Sequence, residues 1–237
     1  MKILVSGATG RVGREIRRLA EEKGFTEIAG SASRERFFDS EAAGEVLIDF
    51  SRPELTARCL EFAVPLGLPM VIGTTGLPTG LQQCINEACK RIAICQAANF
   101  SIGVNLLPDL VRRAAAGFPE SFEIEISETH HRWKVDAPSG TALALGRVAA
   151  DARGLKRVPE PNVRGAGARQ AGEIGYQVIR GGDVVGEHTV LFLGDGERLE
   201  LTHRASDRAI FARGALHAAR WLVEQPAGLY SMKDVLE

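Results

Sequence analysis

The first hundred residues alternate short apolar runs with stretches whose apolar positions recur at helical spacing. Ile3-Leu4-Val5 ends at a glycine, and Val12, Ile16, Leu19 and Ala20 follow at i, i+4, i+7 and i+8, the stripe of an amphipathic helix. Glu27 to Gly30, Val46 to Phe50, Met70 to Ile72 and Ile92 to Cys95 read as further strands. Helical patterns fill Glu54 to Leu66 and Leu81 to Arg91. Apolar strands separated by helices predict a parallel sheet covered on both faces.

The pattern then changes. A helix from about Val104 to Ala116 precedes Phe122 to Glu128, whose strict alternation marks a strand with one wet face. Another helix follows Ser139, and Pro159 to Gly172 reads as a long loop. Strands resume at Gly175 to Arg180, His188 to Leu193 and Leu199 to His203, predicting an α+β block of mostly antiparallel strands. Phe211, Ala215, Ala219 and Leu222 give a last helical stripe, expected to pack back on the first block. The division expected is a first domain of residues 1–101 with 208–237, and a second of 102–207.

Composition narrows the function classes. The chain has 237 residues, 45% of them hydrophobic, enough for its own core. With 29 Lys+Arg against 30 Asp+Glu, it has no basic footprint for nucleic acid. No apolar stretch approaches the ~20 residues of a membrane helix, and no signal peptide is read at the start, so a cytoplasmic, reducing setting is expected. Cys59, Cys84, Cys89 and Cys95 show no C-x-x-C or Cys/His spacing, so no metal site is expected and the thiols read as buried and reduced.

Gly7-Ala8-Thr9-Gly10-Arg11-Val12-Gly13 closes the first strand and opens the first helix. Glycines there permit a tight turn and close backbone approach to a pyrophosphate, which the free N–H groups of the helix start attract. Gly7, Ala8, Thr9, Gly10, Arg11 and Val12 are therefore candidate cofactor-binding positions. Some twenty residues on, an acidic side chain serves the ribose of NAD; here the chain reads Ser31-Ala32-Ser33-Arg34-Glu35. Arg34 suits a 2′-phosphate, which favours NADPH, while Glu35 leaves NADH open.

Glu128 to Thr141 concentrates His130, His131, Arg132 and Lys134 within five residues at a strand end. Histidine exchanges protons near neutral pH, and lysine donates a proton or fixes a carboxylate. Ser139 reads as a helix N-cap, which leaves the N–H groups of Gly140 and Thr141 to bind an anion. Together these residues suit a small dicarboxylate.

These segments resemble the 4-hydroxy-tetrahydrodipicolinate reductase (dihydrodipicolinate reductase) family. The likeness is carried by Gly7 to Gly13, Asp49-Phe50-Ser51-Arg52-Pro53-Glu54, Gly73-Thr74-Thr75-Gly76, Ala97 to Asn105 and Glu128 to Thr141, and continued by Gly186-Glu187-His188 and His203-Arg204-Ala205. The resemblance implies a Rossmann-type dinucleotide-binding domain and an α+β substrate domain that also builds a homotetramer. It implies NADPH and/or NADH as cofactor and reduction of 4-hydroxy-tetrahydrodipicolinate with loss of water, in diaminopimelate and lysine biosynthesis. By the same resemblance His130 is the proton donor/acceptor and Lys134 a proton donor. His131, Gly140 and Thr141 bind the substrate's carboxylates. Gly73, Thr74 and Thr75, with Ala97, Ala98, Asn99 and Phe100, lie along the nicotinamide half of the cofactor. Arg34 stands where many members carry an acidic residue, and Val163 to Arg169 matches the usual glycine- and arginine-rich segment only loosely. That segment reads either as a loop closing over substrate or as a connector.

Two rival readings have concrete markers. A short-chain reductase needs Tyr-x-x-x-Lys, but Tyr176 is followed by Arg180 and Tyr230 by Asp234. A non-catalytic NADP sensor needs the glycine turn but not the histidine and lysine cluster.

Overall fold

The computed structural model describes residues 1–22, 24–25, 27–32, 37–39, 43–155, 162–165 and 167–237. The chain divides into two compact units, residues 1–105 with 208–237, and residues 106–207.

In the first unit the strands are β1 (Lys2–Ser6), β2 (Glu27–Ala32), β3 (Val46–Asp49), β4 (Met70–Ile72), β5 (Ala93–Gln96) and β11 (Gly228–Tyr230). They form one sheet in the order β11-β5-β4-β3-β1-β2, and every pairing is parallel. The helices of this unit are α1 (Arg11–Glu22), α2 (Pro53–Leu66), α3 (Thr79–Ala88), α6 (Ala209–Leu222) and α7 (Met232–Leu236). Strand alternation sorts the core into two layers. Ile3, Val5, Ile48 and Val71 face Ile16 and Leu19 of α1 and the small residues of α6. Leu4, Leu47, Met70 and Ile72 face Cys59 and Leu60 of α2 and Ile85 of α3. Each central strand thus buries both faces, which is why the strands read as unbroken apolar runs rather than alternating ones.

Local signals set the element ends. Pro53 occupies the first turn of α2, and Gly67 (φ 64°) closes it in the left-handed region. Helix α3 starts at Thr79 and stops at Ala88, earlier than the apolar spacing predicts, with Cys89 as its C-cap. Strand β11 escapes sequence reading because Gly228-Leu229-Tyr230 lacks the unbroken apolar run that marks the equally short Met70-Val71-Ile72 of β4. Cys59 and Cys95 are buried as expected, and burial pushes both thiols up to about 12. Cys84 is exposed on α3, and Cys89, at the C-cap of α3, is only half-buried against the core, which corrects the expectation for those two.

The second unit contains most of α4 (Ile102–Gly117), then β6 (Glu123–His130), α5 (Gly140–Ala152), β7 (Asn162–Val163), β8 (Ile174–Arg180), β9 (Gly186–Gly194) and β10 (Glu197–Ala205). The sheet order is β10-β9-β6-β8-β7. Pairings β6–β9 and β9–β10 are antiparallel, but β6–β8 and β7–β8 are parallel. The sheet is therefore evenly mixed rather than mostly antiparallel. The cause is connectivity: the chain leaves β6 through α5 before returning as β8, and a helical crossover delivers the next strand parallel. The predicted loop also contains a strand, β7.

Ile124, Ile126, Tyr176, Val190 and Phe192 share one face, packed under Leu107 and Val111 of α4 and Leu145 and Ala149 of α5. The opposite face of β6 is not simply wet. Glu125 is buried there, accepting hydrogen bonds from Arg164 and Arg169, and Arg164 also pairs with Glu173. Those carboxylates raise the Arg164 pKa. Arg164 and Arg169 are thereby held against the sheet face that His130 does not share.

Helix α6 packs so close that a Cβ on Gly214 would overlap the backbone carbonyl oxygen of Phe100. Helix propensity alone favours Gly→Ala by roughly 1 kcal/mol. Overpacking against fixed backbone costs about 1–3 kcal/mol and reverses the sign. Gly214→Ala is expected to lower the urea-unfolding free energy; a gain in stability would contradict this packing.

Candidate functional site

The C-terminal ends of β1, β3, β4 and β5 lie side by side, and their loops are tied together. Gly7 has φ 75°, donates its N–H to the Ala32 carbonyl (2.9 Å), and has no room for a Cβ because the Phe50 carbonyl lies against it. Gly13 likewise abuts the Gly7 carbonyl. Gly10 donates its N–H to Gly7 O at 2.8 Å, and Arg14 N to Gly10 O at 3.0 Å starts the helical ladder. The N–H groups of Arg11, Val12 and Gly13 therefore stand in the first turn of α1, ahead of that ladder. Thr9, Gly10 and Arg11 are exposed, while Ala8 is buried under the turn.

Strand order reverses between β1 and β3, the switch point at which open α/β sheets bind ligands. A cleft of about 560 Å³ opens there, lined by Gly7, Thr9, Gly10, Phe50, Ser51, Arg52, Glu54, Leu55 and Arg58. Beneath it Asp49 is fully buried. Its carboxylate accepts hydrogen bonds from the hydroxyls of Ser51, Thr56 (2.5 Å) and Thr74 (2.8 Å), and Thr74 Oγ1 also accepts from Ser51 N at 2.9 Å. One carboxylate thus fixes the loops after β3 and β4. The Thr74 hydroxyl is spent inward, whereas Thr75 is exposed.

Gly73 lets the Phe50 ring lie against its Cα, and Phe50 meets Phe100 edge-on at 5.3 Å. Phe100 is fully buried and belongs to the core. Ala97 N donates to Ile72 O (3.1 Å), and Asn99 Oδ1 accepts from Ser101 N (2.8 Å). Gly7 to Val12, Gly73 to Thr75 and Ala97 to Phe100 therefore gather along one edge of the sheet. Arg34 and Glu35 lie outside the described residues.

In the second unit the chemistry sits where the even-numbered face of β6 turns from apolar to polar. After Ile124 and Ile126 come Glu128, only 1% exposed, and His130, 8% exposed. His130 Nδ1 bonds Glu128 Oε2. Arg180, beside His130 on β8, spans both Glu128 oxygens at 2.8 Å, and Ser139 N donates to Oε1 at 3.1 Å. His188, on β9, places Nε2 3.0 Å from Ser139 Oγ and its ring edge-on to His130, with centroids 5.1 Å apart.

The protonation states follow from these contacts. Burial would by itself raise the Glu128 pKa, but the bonds from Arg180 and His130 outweigh it and hold the carboxylate ionised. Burial depresses the His130 pKa; Glu128 opposes this, while the charges of Lys134 and Arg180 add to it. Both directions agree on a neutral imidazole bonded to a carboxylate at neutral pH. With the acceptor at Nδ1, that nitrogen carries the proton and Nε2 is left with a lone pair. His188 is driven down to about 4, mainly by burial and then by the His130 charge.

Lys134 Nζ is held by both oxygens of Asp136 at 2.8 Å, and its charge is felt at His130. Ser139 caps α5 by accepting from Ala142 N (3.2 Å). Gly140 is exposed, and a Cβ there would meet nothing within 4 Å, so space is open beside the first N–H groups of α5. His131 is half-buried, and its Nδ1 is shielded without a hydrogen-bond partner. His130, His131, Lys134, Gly140 and Thr141 are thus neighbours at one sheet end. Glu128, Arg180 and His188 join them and were not singled out as site residues from sequence; an acidic residue two positions before a histidine on a strand was the available signal. Among the described residues no cluster of three or more His, Cys, Asp or Glu is arranged to hold a metal ion.

A parallel sheet with a glycine turn at its switch point, joined in one chain to a mixed sheet ending in a proton-exchanging cluster, defines a class: two-unit oxidoreductases of the dinucleotide type. Family models give the particular family. Residues 1–100 match the N-terminus of dihydrodipicolinate reductase and residues 103–236 its C-terminus. A 4-hydroxy-tetrahydrodipicolinate reductase of Pseudoalteromonas translucida is 45% identical over all of this chain and 98% of its own length. One of Zymomonas mobilis is 46% identical over all of this chain and 97% of its own. The dipicolinate-bound dihydrodipicolinate reductase from Paenisporosarcina sp. TG-14 shares the fold, with TM-score 0.77 over 98% of this chain and 97% of that one, at 24% identity. The chain belongs to the dihydrodipicolinate reductase family. A nicotinamide cofactor goes with it, and the Gly7 turn fits one, because Gly7 and Gly13 let the turn pack tightly on neighbouring backbone while the first-turn N–H groups of α1 stand ahead of the helical ladder, with Gly7, Thr9 and Gly10 lining the cleft.

His188 gives a test of the buried cluster. Its folded pKa lies near 4, below the ordinary ~6.5 of an unfolded histidine. Between these values the unfolded chain binds the proton and the folded chain does not. This contribution to stability is therefore full above about pH 6.5 and is lost as pH falls toward 4. His188→Gln should flatten the melting temperature between pH 7 and 4.5 relative to the parent; an equally steep decline would contradict a buried neutral His188.

Proposed function

We propose that this protein performs the reaction for which its relatives are named, the NAD(P)H-dependent reduction of 4-hydroxy-tetrahydrodipicolinate to tetrahydrodipicolinate with loss of water, in diaminopimelate and lysine biosynthesis. The observation that carries the reading is the second unit's sheet end, where His130, Lys134 and the open N-terminus of α5 stand together. That set suits a small dianion that must be held and protonated.

The residues divide the work. The first-turn N–H groups of Gly140 and Thr141 receive one carboxylate, favoured by the positive end of the helix. His131, half-buried beside His130, supplies a further donor to the substrate's carboxylates. The bound nicotinamide supplies the hydride. The net change also consumes one proton and releases one water. Lys134 donates a proton, Asp136 having held its ammonium in place. His130 exchanges a proton at Nε2, with Glu128 behind it favouring the imidazolium whenever that forms.

On the cofactor side, Gly7, Ala8, Thr9, Gly10, Arg11 and Val12 take the pyrophosphate. Gly73, Thr74 and Thr75, with Ala97 to Phe100, border the nicotinamide half. Arg34 holds a 2′-phosphate, so NADPH is preferred and NADH tolerated. The second unit also builds a homotetramer. Supporting this are apolar side chains on the outward face of its sheet, Leu191 and Leu193 on β9 and the exposed Ile179 on β8.

Spectrophotometric turnover with freshly made substrate tests the reaction. His130→Gln is expected to lower kcat about 10²–10⁴-fold, the usual loss of a general acid–base. Lys134→Ala should damage both kcat and KM. Parental rates in both variants would remove these roles, and an inert parent with intact cofactor binding would favour a sensor. Arg34→Ala should raise KM for NADPH but not NADH; a parent strongly preferring NADH would contradict the assignment. Sedimentation velocity should show a tetramer at micromolar concentration, and a monomer would refute it.

A further inference from the structure

Arg180 links two groups that sequence reading treated separately. Its Nη1 and Nη2 take the two oxygens of Glu128 at 2.8 Å each, and Nη2 also donates to the backbone carbonyl of Asp136 at 2.6 Å. Glu128 holds His130 Nδ1, and Asp136 holds Lys134 Nζ through both of its oxygens. One guanidinium thus lies directly behind the partner of each proton-active group. The neighbouring chain is fastened the same way: Gly181 N donates to His130 O (3.0 Å) and Arg132 N to Gly182 O (3.3 Å).

We propose that Arg180 and Glu128 are positioning residues for the reaction: Glu128 fixes the tautomer and ring orientation of His130, and Arg180 fixes Glu128 and, through the Asp136 backbone, the placement of Lys134. This rests on the roles given above to His130 and Lys134 and extends them.

Charge and shape act separately in this arrangement. A carboxylate with both oxygens engaged cannot rotate away from the imidazole. An arginine fork matches the two oxygens, whereas a single ammonium cannot reach both and the Asp136 carbonyl as well. Gly186, on β9, completes the arrangement from the far side. A Cβ there would lie 2.9 Å from His130 Nε2, so glycine keeps the exchanging nitrogen clear. The charged and titratable groups facing His130 are Glu128 on its own strand, Lys134 and Asp136 in the following loop, Arg180 on β8 and His188 on β9, with His203 on β10 in register behind His188. Among these Glu128 is bonded directly to the ring and favours its protonated form.

Glu128→Gln and Arg180→Lys separate the two effects. In Glu128→Gln the amide keeps the size but removes the charge that favours imidazolium. The His130 Cε1–H NMR titration midpoint in the resting protein should fall by about 1 pH unit or more. The limb of the kcat/KM profile that reports His130 should move the same way. Arg180→Lys keeps the charge and loses the fork. Its His130 midpoint should stay within about half a pH unit, while kcat falls roughly 10–100-fold, as for partners that orient a reacting group; KM for the nicotinamide cofactor should stay within about twofold. An unmoved His130 midpoint in Glu128→Gln, or a parental kcat in folded Arg180→Lys, would overturn the proposal. If one variant fails to fold, the other still decides. An inert parent would sink the assigned reaction instead, and the NMR titration, which needs no turnover, would still judge the Glu128 contact.

Discussion

A carboxylate at Glu128 has almost no contact with water, and the end of the second sheet is arranged around satisfying it. Leaving an ionised carboxylate buried without partners is far more costly than leaving it exposed. Here its two oxygens receive a guanidinium, a backbone N–H and an imidazole, drawn from β8, the cap of α5 and β6 itself. Because those partners come from three segments, meeting the demand of one side chain aligns the strand end, the helix start and the loop between them. The imidazole that results is neutral, oriented, and has one nitrogen unused.

The first unit uses the same device with neutral donors. Asp49 is equally hidden, and hydroxyls from Ser51, Thr56 and Thr74 bind the loops after β3 and β4 to it. The glycine turn stands beside this fixed platform, with Gly7 against the Phe50 carbonyl. The cleft at the switch point is thus walled by backbone on one side and by a rigid, hydrogen-bonded loop on the other. In both units a buried acid on a strand end, rather than a residue offered to solvent, sets the geometry of the surface.

Much of this was legible in the sequence, for identifiable reasons. Strands buried on both faces are apolar throughout, so β1, β3, β4 and β5 announced themselves and the parallel sheet followed. Ser139 and the Gly7 turn are local signals, and both appear where the chain predicts them. What escaped depends on long-range pairing. Arg180 stands 52 residues from Glu128 in the chain, and nothing near either residue marks them as partners. The parallel β6–β8 pairing was missed because alternation along a strand does not say which neighbour it will meet. Glu125 looked like a solvent-facing charge because Arg164 and Arg169, which cover it, lie about forty residues further on. Phe100, which the resemblance places along the nicotinamide half, packs in the core of the first unit, and its neighbours Asn99 and Ser101 do not by themselves decide between the two.

The most direct measurement is the pair of 15N chemical shifts of the His130 ring in the unmodified protein at pH 7.5, assigned by comparison with His130→Gln. A protonated Nδ1 and a bare Nε2 are expected, as the Glu128 contact requires. A proton on Nε2 instead, or rapid averaging between the two nitrogens as in free histidine, would contradict an imidazole fixed by the buried carboxylate.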